Sequence, residues 1–259
     1  MTLKITAQVA VMVTRSGKSG EQLTAELKNA GFVSYFAPTL KIIKESLLIP
    51  AQDFQQAIFV SRNAVKYSVE RSQLIKDMLP KQLIAVGRGT AARLEKNGFN
   101  DVLIPDSSNA EGLLKLSSLQ SIRGQQILLI KGRGGRELLE KTLSERGAIC
   151  YSLDVYSRVV ETIDETHWQG FMAPVIKNSE LLIDQPLLNI ITLASVEALE
   201  ALKPKLLDAK VSERITLVVA SDRIAKKAAD YRFGDIVVAD SATNEATLKA
   251  IMTLTKSLI

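Results

Sequence analysis

Six short runs of consecutive apolar residues punctuate the chain, and each is followed by a polar turn and then an amphipathic segment. Runs that are apolar at every position, rather than at every second one, indicate strands buried on both faces of a parallel sheet. We therefore expect strands at 9–13, 57–60, 83–86, 126–130, 189–193 and 215–219.

The segments after these runs carry apolar residues at the spacing of a helix face. The clearest sets are Leu23 and Leu27, then Leu138, Leu139 and Leu143, then Leu199 and Leu202. Gly31, Gly98 and Gly147 lie where the helices should end. Strands that alternate with helices predict an α/β protein with doubly wound parallel sheets.

The chain contains an internal repeat. The segment from Leu83 aligns without a gap with the segment from Leu217, an offset of 134 residues, and the same offset pairs Ser61 with Ser195. The first strand–helix unit resembles the fourth at a different offset, 116 residues. Repetition on this scale predicts two similar domains.

The composition argues against several classes of protein. The 259 residues are 46% hydrophobic and 24% charged, and 33 basic against 28 acidic side chains give a net charge of +5. This modest excess suits an acidic small molecule at least as well as a nucleic acid, because only 5% of the residues are aromatic and no dense basic block occurs.

Metal, redox and membrane functions lack their usual sequence features. Cys150 is the only cysteine and His167 the only histidine, which argues against thiolate and histidine metal sites. We expect His167 at the surface or at a helix cap. No apolar run approaches the roughly 18 residues of a membrane helix, and the N-terminal segment is typical of a strand rather than a signal peptide, so we expect a cytoplasmic protein.

Ligands of open α/β sheets bind beyond the carboxyl ends of the strands, so the turns after the apolar runs are informative. Hydroxyl-bearing residues, glycines and basic residues recur there, and helix N-termini leave N–H groups that favour anions. We therefore expect a carboxylate or phosphate site. The candidate substrate-binding residues are Thr14, Arg15, Ser61, Arg62, Gly87, Arg88, Thr90, Lys131, Gly132, Arg133, Ser195 and Ser221.

Two other interpretations of these turns stay open. The hydroxyl residues Ser61, Thr90, Ser195 and Ser221 are also typical of plain N-caps. The run G-R-G-T-A-A from residue 87 is a weak dinucleotide fingerprint, for which Asp106 is a loose acidic partner. The turn KGRGGRE matches neither that spacing nor the P-loop.

Six segments are informative in their order and spacing, namely VTR near the start, FVSRNAV, AVGRGTAARLEKNGF, KGRGGRELLEKTL, DVYSRV and VADSATNEATL. In this order and spacing they resemble the uroporphyrinogen-III synthase family over nearly the whole chain. The chain departs from the family at SDRIA, where many members have a Gly-x-Thr-Thr-type turn. Ser221 or backbone amides would have to replace that hydroxyl.

This resemblance implies two similar doubly wound α/β domains joined by a two-stranded β connection, with the active site in the interdomain cleft. The first strand–helix unit would belong to the C-terminal domain. The domains would comprise residues 1–36 with 160–259, and residues 37–159. The segments TLKIIK and LDVYSRVV would form the connection.

The resemblance also implies a lyase without a cofactor, which closes hydroxymethylbilane to uroporphyrinogen III with inversion of ring D and loss of water. The turn from Lys131 to Arg136 would hold substrate propionate or acetate groups, with further help from Arg158 and Arg223. Tyr156 would be the catalytic acid, since a phenol keeps its proton at neutral pH.

The family logic further implies transient contact with hydroxymethylbilane synthase. We expect a monomer, since no exposed apolar stripe stands out in the sequence, and the composition predicts no nucleic-acid or membrane partner. The alternative is a two-domain clamshell binding protein for a small polyanion, which would share the duplicated halves and the cleft. Formation of the ring-D-inverted product distinguishes the two.

Overall fold

The computed structural model describes residues 9–134, 137–178, 188–206, 212–231, 233 and 235–256. All six expected strands are present within these ranges. The strands are β1 (Val9–Val13), β2 (Val33–Phe36), β3 (Leu40–Lys44), β4 (Gln56–Phe59), β5 (Gln82–Ala85), β6 (Gln126–Gly132), β7 (Ile149–Val160), β8 (Leu188–Leu193), β9 (Ile215–Val219) and β10 (Ile236–Val238).

Helices follow the strands as the periodicity predicts. They are α1 (Gly17–Asn29), α2 (Arg62–Tyr67), α3 (Gln73–Met78), α4 (Arg88–Glu95), α5 (Ala110–Leu113), α6 (Leu138–Glu145), α7 (Glu165–Asn178), α8 (Val196–Leu202), α9 (Asp222–Ala229) and α10 (Asn244–Lys256). Short 3₁₀ turns occur at Ser117–Leu119 and Lys203–Leu206. The predicted α/β class is confirmed.

The chain divides into two compact units. The first unit is Met1–Lys41 with Val159–Ile259, and the second is Ile42–Arg158. The first strand–helix unit therefore lies with the C-terminal part of the chain. The domain boundaries expected from the sequence, after residues 36 and 159, remain a prediction about separately folding domains.

The first unit contains a parallel sheet with the order β10-β9-β8-β1-β2. In chain order this is the 2-1-3-4-5 arrangement of a doubly wound fold. Its switch point lies between β1 and β8, because the chain proceeds from β1 to one side and from β8 to the other.

The second unit repeats this arrangement with a different chain order. Its sheet runs β3-β7-β6-β4-β5, and the pairs β7-β6, β6-β4 and β4-β5 are parallel. The repeat makes β6 the counterpart of β1, β4 of β8 and β5 of β9. The corresponding switch point of the second unit therefore lies between β6 and β4.

A two-stranded ribbon of β3 and β7 joins the units. The N–H of Glu45 donates to the carbonyl of Val155 at 3.2 Å, and the N–H of Glu161 donates to that of Thr39 at 2.9 Å. Residue numbers rise along one strand as they fall along the other, so the pair is antiparallel. Both unit boundaries fall within these strands, which confirms the two-stranded connection.

Both faces of each sheet are covered, as the continuous apolar strands require. In the first unit α1 and α10 cover one face, while α7, α8 and α9 cover the other. In the second unit α2, α3 and α4 cover one face, while α5 and α6 cover the other. Burial of apolar area on this scale is the main favourable term in folding.

One detail of the helix pattern is wrong. Leu139 and Leu143 are buried in the core, but Leu138 is 40% exposed because it begins α6 on the side away from the sheet. The helix-ending glycines are confirmed, since Gly31, Gly98 and Gly147 all have positive φ.

Replacement of Gly20 by Ala should destabilise the protein. Gly20 is buried on α1, and a Cβ there would overlap the backbone carbonyl oxygen of Arg15, which cannot move cheaply. Overpacking of this kind costs about 1–3 kcal/mol and outweighs the gain of up to about 1 kcal/mol from Gly→Ala in a helix. Thermal unfolding followed by circular dichroism measures the effect.

Gly89→Ala is the matched control for this prediction. Gly89 also lies in a helix, but its added Cβ would meet nothing closer than the Arg62 side chain at 3.4 Å. We expect its midpoint to stay the same or rise. Equal losses in the two variants would contradict the steric argument at Gly20.

Candidate active site

The switch point of the second unit brings together two predicted site residues, Ser61 and Gly132. β4 ends just before Ser61, and β6 ends at Gly132. Because the strands are parallel neighbours, their carboxyl ends lie at the same edge of the sheet. In open α/β sheets this is the edge where ligands bind.

Tyr156 reaches the same edge through an irregularity in β7. The register between β6 and β7 shifts between Lys131 and Gly132, so that Gly132 pairs with Tyr156 and Val155 is passed over. Val155 and Tyr156 both join the core cluster of the second unit. The Tyr156 side chain is only 2% exposed, and its ring lies 5.8 Å from that of Tyr67.

The Tyr156 hydroxyl has two polar neighbours. Its oxygen lies 3.1 Å from Ser61 Oγ, and it accepts a hydrogen bond from Arg158 Nη2 at 3.4 Å. The guanidinium of Arg158 also lies 5.6 Å from the centre of the ring. Ser61 is the N-cap of α2, since its Oγ accepts from the N–H of Ala64 at 3.0 Å.

The glycine at 132 is explained by this tyrosine. A Cβ at Gly132 would lie 2.5 Å from Tyr156 Cζ and 3.0 Å from its hydroxyl oxygen. No side chain fits there while the ring keeps its position, because the interior is close-packed. The small residue at 132 therefore makes room for an aromatic ring of the protein itself.

A pocket of about 580 Å³ lies beside Ser61, at the turns after β4 and β5. Two arginines and one aspartate bring charge to its lining. The residues that line it are Ser61, Arg62, Val86, Gly87, Arg88, Gly89, Thr90, Ile104, Pro105, Asp106 and Ser108. Five predicted binding residues thus lie on one surface.

Gly87 is a glycine because the Ser108 side chain, which also lines the pocket, lies close to its Cα. It is the N-cap of α4, and a Cβ there would overlap the Ser108 side chain. The extended backbone of Gly87 is open to any residue, so this close approach rather than a special φ accounts for the glycine. Thr90 lies inside α4 and is buried, so its interpretation as an N-cap is wrong.

Two other predicted cations of the second unit, Lys131 and Arg133, have acidic partners. Lys131 Nζ lies 3.3 Å from Glu140 Oε2, which also accepts from Ser152 Oγ at 2.9 Å. Arg133 Nη2 donates to Glu45 Oε2 at 2.8 Å. Within the described ranges no ion-pair partner occurs for Arg62, Arg88 or Arg158. The first two line the pocket, and Arg158 donates to the Tyr156 hydroxyl.

The side chains of the two residues after β1, Thr14 and Arg15, make hydrogen bonds within the first unit. Thr14 is buried, and its hydroxyl donates to the carbonyl of Thr192 at 2.6 Å, across the β1–β8 switch point. Arg15 Nη1 donates to Asn244 Oδ1 at 3.1 Å and to Ser19 Oγ at 3.3 Å. These contacts hold Arg15 against the N-terminus of α10.

The two serines of the first unit differ from each other. Ser195 is an N-cap like its counterpart Ser61, with Oγ accepting from the N–H of Ala198 at 3.1 Å. Ser221 occupies the N-cap position of α9, but its side chain makes no capping bond. The N-cap interpretation therefore holds for Ser61 and Ser195, and substrate binding by all three stays a prediction.

The remaining candidate groups are His167, Cys150, Arg223 and the end of the basic turn. His167 is exposed near the start of α7, where its N–H donates to Asp164 Oδ1 at 3.1 Å. Burial raises the pKa of the Cys150 thiol, which disfavours the thiolate. Arg223 is exposed on α9, and Gly135 and Arg136 of the basic turn lie outside the described residues.

Within the described ranges, no group of three or more His, Cys, Asp or Glu side chains is placed to hold a metal ion. No helix in those ranges is long and apolar enough to cross a membrane. The candidate site is thus built from hydroxyls, arginines and backbone N–H groups.

Sequence reasoning missed four residues that shape these sites. Ser108 follows Ser107, which the repeat pairs with Ser241, so the repeated D-S motif was a usable signal for the pocket wall. Asn244, Glu45 and Glu140 hold predicted cations, but each is far from its cation in sequence or on another element. Their roles depend on packing that a single sequence does not reveal.

Comparison with known proteins supports the resemblance. The family model described as uroporphyrinogen-III synthase HemD matches residues 21–249. Uroporphyrinogen-III synthase of Salmonella typhimurium is 29% identical over 261 residues, covering 94% of this chain and 100% of that protein. The Escherichia coli protein of that name is also 29% identical, with the same coverage of both chains.

Solved structures show the same fold. A mutant uroporphyrinogen III synthase from the extremely thermophilic bacterium Thermus thermophilus superposes with a TM-score of 0.62 at 16% identity, covering 96% of this chain and 99% of that one. Uroporphyrinogen-III synthetase from Helicobacter pylori gives a TM-score of 0.62 at 14% identity, covering 95% and 98%. Because the family model spans most of the sequence and the fold agrees, the chain belongs to the uroporphyrinogen-III synthase family.

Proposed function

We propose that the chain is a cyclising lyase that converts hydroxymethylbilane to uroporphyrinogen III, with loss of water and inversion of ring D, in tetrapyrrole (haem) biosynthesis. The observation that carries the proposal is the arginine-lined pocket next to the Ser61–Tyr156 hydroxyl pair, in a chain that matches the family from residue 21 to 249. A polyanion-binding protein would need the pocket but not the phenol.

The reaction needs an acid and control of geometry. The terminal hydroxyl leaves as water after it gains a proton, and the electron-rich pyrrole stabilises the cationic carbon left behind. The substituted carbon of ring D attacks that carbon to give a spiro intermediate, which fragments and recloses. The final closure releases a proton, so the net change is the loss of one water.

Tyr156 is the proton source in this proposal. A phenol is a weak acid that is protonated at neutral pH, so it can donate its proton to the hydroxyl as that group leaves. Arg158, which donates to the hydroxyl oxygen at 3.4 Å, stabilises the negative charge that the transfer leaves there.

Arg62 and Arg88 bind substrate carboxylates in this proposal. Guanidinium groups match carboxylates with paired N–H donors. The N–H groups of Arg88 and Gly89, which precede the first hydrogen-bonded turn of α4, add donors at the same pocket. Lys131 and Arg133 join them only if a substrate carboxylate replaces Glu140 or Glu45.

Other parts of the proposal rest on the sequence. They are a cytoplasmic location, a monomeric state, transient contact with hydroxymethylbilane synthase, and substrate contacts from Arg15, Ser195 and Ser221. Cys150, the free cysteine of the chain, fits a reducing compartment.

The product isomer tests the activity directly. Hydroxymethylbilane left alone closes without inversion to isomer I, so the protein is added to freshly generated substrate and the oxidised uroporphyrins are separated by chromatography. We expect isomer III. Isomer I alone from the folded protein would overturn the lyase proposal and favour the polyanion-binding protein.

Arg62→Ala and Arg88→Ala should each raise KM by about 3- to 30-fold, since a hydrogen bond to a charged group is worth about 1.5–3 kcal/mol and exposure weakens it. Steady-state kinetics with hydroxymethylbilane measures the change. Lys96→Ala removes the same charge from the far, exposed end of the α4 segment and should leave KM unchanged. A rise of KM in Lys96→Ala as large as in the arginine variants would mean that the loss of one positive charge, and not contact with the substrate, causes the effect.

Tyr156→Phe should lower kcat by about 10²–10³-fold, at the lower end of the roughly 10²–10⁴-fold that a positioned general acid contributes. The ring and its packing are kept, so the unfolding midpoint should change little. Single-turnover and steady-state rates measure the effect. Wild-type kcat in this variant would remove the phenol from the mechanism while leaving the activity of the protein standing.

A further inference from the structure

The buried position of Tyr156 raises the question of how its proton reaches a substrate. The side chain is 2% exposed and does not line the pocket beside it. Ser61 does line that pocket, and its Oγ lies 3.1 Å from the Tyr156 hydroxyl. Ser61 therefore stands between the phenol and the pocket.

The direction of the hydrogen bond between the two hydroxyls follows from their neighbours. A buried O–H donor without an acceptor is costly, so the phenol proton needs a partner. Within the described ranges the polar neighbours of that hydroxyl are Ser61 and Arg158, and a guanidinium can only donate. Tyr156 therefore donates to Ser61 Oγ.

This arrangement leaves the proton of Ser61 free to point elsewhere. Ser61 Oγ accepts from the N–H of Ala64 at 3.0 Å and from Tyr156, which uses both of its lone pairs. Its own hydrogen cannot point at either donor. The remaining direction is the pocket that Ser61 lines.

We propose that Ser61 is the group that hands the proton to the leaving hydroxyl and that Tyr156 replaces it from behind. In one concerted step the Ser61 O–H bond breaks as its proton joins the departing oxygen, and the C–O bond breaks with its electron pair to release water. The Tyr156 proton moves to Ser61 Oγ. A tyrosinate remains beside Arg158, and the proton released by ring closure returns along the same path.

The duplicated half of the chain lacks this pair. Ser195 has the same N-cap geometry as Ser61, but the 116-residue offset pairs Tyr156 with Leu40. The hydroxyl pair is therefore a feature of the second unit and not a by-product of the repeated strand–turn–helix motif.

The kinetic test compares Ser61→Ala, Tyr156→Phe and the double variant, and it rests on the proposed activity. A relay acts as one unit, so each single variant should lose kcat to a similar extent and the double variant no more than the worse single one. Ser61→Thr keeps both the hydroxyl and the cap and should retain kcat within about threefold of the wild type, since both features of the relay are preserved.

Ser72→Ala is the matched control. Ser72 caps α3, another six-residue helix of the second unit, by accepting from the N–H of Ile75 at 3.4 Å. It should lower the unfolding midpoint as Ser61→Ala does but leave kcat at the wild-type value. Loss of kcat in Ser72→Ala equal to that in Ser61→Ala would reduce the role of Ser61 to helix capping and overturn the relay.

Two further outcomes overturn the relay while wild-type protein still makes isomer III. Full kcat in Ser61→Ala with loss in Tyr156→Phe would mean that the phenol meets the substrate directly. A double variant far below both single variants would mean that the hydroxyls act independently. Failure of the activity proposal itself is recognised separately, because wild-type protein would then give isomer I alone.

A spectroscopic measurement tests the hydrogen bond without any substrate. The protein contains five tyrosines, so the ¹³Cζ signal of Tyr156 is assigned by its loss in Tyr156→Phe. We expect this signal to move in Ser61→Ala and to stay in place in Ser72→Ala. An unmoved signal in Ser61→Ala would overturn the hydroxyl pair on which the relay depends.

Discussion

The pairing of β1 with β8 is the interaction on which the first unit depends. These strands are far apart in the chain, and the hydrogen bond from the Thr14 hydroxyl to the Thr192 carbonyl joins residues 178 positions apart. Such distant partners are entropically costly to bring together, and the apolar strand faces on both sides offset that cost. Once the pair forms, the turns after β1 and β8 must lie at one edge of the sheet.

The second unit reaches the same geometry with strands closer in the chain. β6 takes the place of β1 beside β4, so the end of β6 lies at the same edge of the sheet as Ser61. The two units then use this edge differently. In the first unit, Arg15 donates hydrogen bonds to Asn244 and Ser19 at this edge. In the second unit, the ring of Tyr156 lies at this edge, and Arg62 and Arg88 line the neighbouring pocket.

Much of the fold could be predicted from the sequence because burial and periodicity are local properties. Continuous apolar runs predicted six of the ten strands in the described ranges, namely β1, β4, β5, β6, β8 and β9. Leu138 was misjudged because a helix-end residue can satisfy the period and still face solvent. The resemblance to a family supplied the rest of the topology.

The site was predictable only in part. The turns were located correctly, since they follow from the strand ends, but the partners of Lys131 and Arg133 come from α6 and from the residue after β3. The inward turn of Tyr156 depends on a register shift in β7, and no pattern of apolar residues encodes such a shift. A single sequence therefore indicates which residues lie at the ligand-binding edge of the sheet, but not which of their side chains are already paired with other residues of the protein.

The ring of Tyr156 against Gly132 has a consequence for the family as a whole. Glycines in a turn after a strand are usually taken as a sign that an anion binds there. Here the glycine is needed instead because the ring of Tyr156 occupies the space that a side chain at position 132 would fill. We therefore expect the residues at these two positions to vary together among relatives. In relatives where a small residue replaces the tyrosine, the glycine is released from this constraint, so the pair should change together while the surrounding turn keeps its length.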